Sequence, residues 1–152
     1  YATGVLATLA FVPRPTRRQL RWAGPRLIAL WAGCGWWAFA VGALAVSVST
    51  GRAFDAGPWL VVLVVAGYAQ ILWGALAYLL PVLRGGGHEH LAAGFATTRS
   101  WLGLGTVNLA GVALALDAPI VAGSAVAVWA VDAAMRVALV RGRRTQLKGA
   151  PA

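Results

Sequence analysis

His88 and His90 flank Glu89 just after Gly85, Gly86 and Gly87. Neutral imidazoles beside a carboxylate are metal-ligand types. A tight site needs more ligands than two histidines supply. A solvated loop is the plainer account, and no tight metal site is expected. Cys34 and Met135 are the only other soft ligands, and no second partner stands beside either. Cys34 reads as a buried, inert thiol. No histidine falls within an apolar run, so bis-histidine haem ligation between helices is not open to this chain. The sequence holds no G-x-x-x-x-G-K-[ST], no G-x-G-x-x-G leading out of a strand, and no Ser/His/Asp set. Phosphate-cradle and triad chemistry therefore have no foothold.

Four polar residues stand inside long apolar runs: Gln70, Asn108, Asp132 and Arg136. Polar groups at membrane depth are costly, so each must face protein or a water-filled cavity. Gly67, Gln70, Gly74, Ala77 and Pro81 recur at heptad a/d spacing, while Val64, Leu72, Leu76 and Leu79 lie largely off that stripe. Small residues let backbones approach, and an amide can bond across the contact. Two functions fit: a polar midplane site on a solute path, or helix–helix glue. Glue is the simpler one. A water-filled cavity reaching Gln70 would favour the path, and a dry Gln70–Asn108 contact the glue. Asp132 and Arg136 are spaced i, i+4 with the acid first, the order that favours pairing. A proton relay would need a second buried acid or histidine, so a neutralised structural pair is expected.

Bulk composition says what must position these residues. The chain has 152 residues, 60% hydrophobic and 11% charged, with 19 glycines besides. Soluble domains carry roughly 25% charged residues. Neither a soluble globular domain nor disorder fits; an integral membrane protein does. One cysteine leaves no internal disulfide and no CxxC metal site. The expected fold is all-α, a polytopic transmembrane bundle of four full spans at 25–48, 58–83, 99–116 and 119–140. Residues 1–12 are too short to cross. They do not start with Met and lack a signal-peptide pattern. They read as the end of a truncated first helix, with residues upstream. Pro25, Pro58 and Pro119 suit first helical turns. Residues 14–26 and 84–98 read as loops, 51–57 as a polar turn, Asp117-Ala118 as a tight turn, and 141–152 as a frayed basic tail. The whole chain is one membrane module.

The net charge of +9 is concentrated in Arg14, Arg17, Arg18, Arg21 and Arg26, and in Arg136, Arg141, Arg143, Arg144 and Lys148. Each cluster abuts an apolar run. That is the positive-inside pattern, not a nucleic-acid footprint. Alternating loop charge puts residues 14–26, the His88-Glu89-His90 loop and the C-terminus on the cytoplasmic side of the cell membrane. Trp22, Trp59 and Trp101 fall near span ends as an aromatic belt, and Trp31, Trp36, Trp37, Trp73 and Trp129 read as packing residues.

The stretch GYAQILWGALAYLLPVL at 67–83, followed by glycines, then Trp101 and Asn108, resembles the N-terminal membrane region of actinobacterial multicopper oxidase and copper nitrite reductase-like proteins. The resemblance spans residues 58–116. It implies a membrane segment that accompanies a soluble cupredoxin region holding the copper. This chain has no such region, so copper would belong to a missing part and no cofactor is expected within the chain. The lipid bilayer and a redox domain or subunit are the implied partners. The reading that results is a non-catalytic anchor or subunit associated with a copper-type redox protein. Its alternative is a small-solute or ion permease fragment with Gln70, Asn108 and Asp132 on the path. An enzyme in its own right ranks third.

Overall fold

The structure is a computed structural model that describes residues 2–11, 15–51, 56–83 and 88–148; the side chains of 2, 6, 8, 9, 56, 88–90 and 141–148 lie outside the description. Every regular element among the described residues is helical: α1 (Ala2–Phe11), α2 (Arg17–Ala23), α3 (Pro25–Ser49), α4 (Ala56–Val62), a π-helical stretch (Leu63–Ala69), α5 (Gln70–Leu83), α6 (His88–Thr97), α7 (Trp101–Ala115) and α8 (Pro119–Lys148). The second span of the bundle is the continuous rod of α4, the π-helical stretch and α5.

Three helices are long and apolar enough to cross a membrane: Pro25–Ser49, Gly57–Leu83 and Pro119–Val140. The fourth expected span, 99–116, forms the 15-residue helix α7. At 1.5 Å per residue it is about 22 Å long, against roughly 30 Å of hydrocarbon. Ser100 sets its start by accepting the Gly103 N–H at 2.8 Å. Asp117 ends it at φ 53°, in a left-handed turn that Asp tolerates better than most residues.

Two expected loops are helices. Thr16 and Gln19 form a reciprocal capping box, which starts α2 inside the arginine cluster. Residues 88–97, expected within a loop, form α6. Phe95 anchors it, with its ring 5.5 Å from both Trp22 and Tyr78. The basic tail is not frayed from residue 141, since α8 continues to Lys148. Residues 1–12, expected as a helix end, contain α1.

Close approaches show how the rods run. A Cβ at Gly33 would meet Ile71 and the Gly67 carbonyl, and one at Gly74 would meet Leu30 and the Arg26 carbonyl. Hence α3 and α5 are antiparallel. Gly111 abuts Ala66 and Trp36, and Gly103 abuts the Asp132 carboxylate, so α7 runs antiparallel to both the second rod and α8. The heptad stripe holds: Gly67, Gln70, Gly74, Ala77 and Pro81 are all buried, while Val64, Leu72, Leu76 and Leu79 are exposed. A rod with small residues inside and large apolar ones outside is the reverse of a soluble helix and suits lipid.

One end gathers positive charge. Arg26 donates to the Phe95 carbonyl, Arg99 to the Trp22 carbonyl and Arg136 to the Thr97 carbonyl, which ties α2, α3, α6, α8 and the link before α7 together there. Asp117 lies at the opposite end.

Candidate functional site

Gln70 is central in its rod, Asn108 in α7 and Trp36 in α3. The structure brings all three together. Asn108 Nδ2 donates to Gln70 Oε1 at 3.1 Å and to the Leu104 carbonyl at 2.8 Å. Trp36 Nε1 donates to Asn108 Oδ1 at 2.8 Å. Gln70 is 1% exposed, and its Nε2 has no partner. Gly33, Gly67 and Gly111 let the three backbones close around the cluster. Trp36, read from sequence as packing, is thus also a donor. Its mid-helix position was the only sequence signal, since a buried indole N–H usually finds an acceptor.

Asp132 and Arg136 pair as their spacing requires, with Nε to Oδ1 at 3.3 Å. Arg136 also donates to the Thr97 carbonyl at 3.2 Å. Asp132 is buried, and its second oxygen packs over Gly103, where a Cβ would meet it at 2.8 Å. This pair lies toward the basic end, apart from the amide cluster. All four stand inside apolar runs of the sequence. The structure separates them into two sites on different helix contacts.

Arg26 departs from its expected place in a solvated basic cluster. It occupies the first turn of α3 and is 6% exposed. Its Nη2 donates to the Phe95 carbonyl at 3.1 Å, and its Cζ lies 4.7 Å from the Phe95 ring centroid. Arg26, Gln70, Ser100 and Gly103 line a cavity of about 20 Å³. That suffices for one water, which needs roughly 10–15 Å³. No sequence signal marks the cavity, because it depends on which face of α3 its first turn presents.

Cys34 is only partly buried, not fully as its residue type suggested. Met135 is exposed on α8. The side chains of His88 and His90 lie outside the described residues, although both begin α6. Among the described residues no three His, Cys, Asp or Glu side chains come together. No protein-family model, curated protein or solved structure matches the chain.

Proposed function

We propose that the chain is a non-catalytic integral membrane module, an anchor or subunit that accompanies a copper-type redox protein. The observation that carries the non-catalytic part is the direct Trp36–Asn108–Gln70 chain. It commits Asn108 and the Gln70 Oε1 to neighbouring helices rather than to a solute. In this reading α7 is a fourth, short span. A short span is accommodated by local bilayer thinning and by interfacial anchors, and Trp101 stands exposed at its start. The copper association rests on the resemblance of residues 58–116. It is tested by the adjoining coding sequence, where a cupredoxin region in the same or the neighbouring reading frame is expected.

The cavity beside Gln70 favours a second reading, a permease fragment. Flux through proteoliposomes separates the two. The anchor reading expects uptake of small solutes and ions no faster than in protein-free vesicles. Uptake that is faster, and lost in Gln70→Leu, overturns it.

The basic end faces the cytoplasm in this proposal, because arginine excess marks that side. Single-cysteine variants on a Cys34→Ala background check it. Ala53→Cys should label only from outside and Arg17→Cys only from the cytoplasmic side. The reverse pattern contradicts the orientation.

A further inference from the structure

Arg26 is a buried cation with no counter-ion among the described residues. Among the described residues the ion pair is Asp132–Arg136, and none of their carboxylates pairs with Arg26. Its contacts with the Phe95 carbonyl and ring are to neutral groups, and its Nε has no hydrogen-bond partner. Arg99 adds like charge close by. A buried charge is strongly unfavourable unless something opposite compensates it.

The second unpartnered donor is Gln70 Nε2, on a side chain 1% exposed. Both residues line the same cavity of about 20 Å³. The first turn of α7 borders it through Ser100 and Gly103. That helix has 15 residues, and its N-terminus carries partial positive charge. Ser100 Oγ accepts the Gly103 N–H and keeps its own O–H to donate. Thr98, also on the wall, spends its hydroxyl on the Gly94 and Phe95 carbonyls. Among the described residues the acid near this layer is Asp132, whose Oδ1 pairs with Arg136 and whose Oδ2, packed over Gly103, has no hydrogen-bond partner.

From this donor set we infer that the cavity binds one small monovalent anion of halide size, as the counter-ion of Arg26. The free donors on the cavity's lining residues are Arg26 Nε–H, Gln70 Nε2–H and the Ser100 hydroxyl. A water would satisfy the hydrogen bonds but leave the charge. Space for about one water suits a monatomic ion better than a tetrahedral oxyanion. The inference does not depend on whether the chain is an anchor or a permease.

The test uses the full chain purified in detergent. Thermal unfolding is followed in sodium chloride, bromide, phosphate or gluconate at equal ionic strength, beside ³⁵Cl NMR line width. Chloride and bromide should raise the midpoint saturably, and phosphate and gluconate should not. The ³⁵Cl line should broaden and sharpen again when bromide is added. Arg26→Gln removes the charge and should weaken chloride binding by about tenfold or more, as loss of a charge-assisted bond predicts. Gln70→Met should weaken it less. If Arg26→Gln does not fold, bromide competition on the unaltered chain still decides. Equal midpoints in all four salts with no specific broadening mean that water alone fills the cavity, and the inference fails. It also fails if phosphate competes as well as bromide, because the anion then sits on the exposed arginines of α2.

Discussion

Gly33→Ala is expected to destabilise the bundle by about 1–3 kcal/mol, the range for overpacking a tight contact. The added Cβ would meet Ile71 Cγ1 at 2.7 Å, the Gly67 carbonyl oxygen at 3.0 Å and the Ile71 nitrogen at 3.2 Å. Two of those three atoms are backbone, so no rotamer change relieves the clash. The helices must part, and the contacts at Gly67 and Gly74 loosen with them. Gly35→Ala, two residues along the same helix, is the control. Nothing lies within 4 Å of a Cβ there. Ala favours a helix over Gly by up to about 1 kcal/mol, so this change should be neutral or stabilising. Unfolding of both variants in mixed detergent micelles checks the pair. Equal effects would mean that α3 and α5 are not in backbone contact at Gly33.

Asn108→Leu is expected to cost roughly 1–2 kcal/mol, from three lost bonds at about 0.6 kcal/mol each. It strands Trp36 Nε1 and Gln70 Oε1 together, and frees the Leu104 carbonyl of an extra donor. Gln70→Leu removes one of these bonds and should cost about 0.6 kcal/mol. A larger penalty at Gln70 than at Asn108 would misplace the centre of the cluster. Detergent-induced unfolding reads both, with Trp36 fluorescence reporting locally.

The amide contact was legible because helical period survives in apolar sequence. Gly67, Gln70, Gly74, Ala77 and Pro81 mark one face by size alone, and that face is the buried one. The Asp132–Arg136 pair was legible for the same reason, since i, i+4 spacing is local. What escaped was set by tertiary contact or by a short capping signal. Thr16 and Gln19 are a capping box three residues apart, hidden in a run of arginines that reads as loop. Phe95 draws residues 88–97 into a helix only because Trp22 and Tyr78 receive its ring. Trp36 looked like any core tryptophan, because an indole shows its donor only when an acceptor faces it. Arg26 was counted with its exposed neighbours, yet a single residue into α3 it turns inward. Span length misled at α7, where Ser100 and Asp117 cut the helix shorter than its apolar run.

The central claim is that the interior amides bind helices to one another. A double-mutant cycle on Gln70→Leu and Asn108→Leu measures that most directly. Because both changes remove the same 3.1 Å bond, their effects should overlap. The predicted coupling is about 0.6 kcal/mol, with the double variant little worse than Asn108→Leu alone. Costs that add to within about 0.3 kcal/mol would mean the amides act independently, and the account would be wrong.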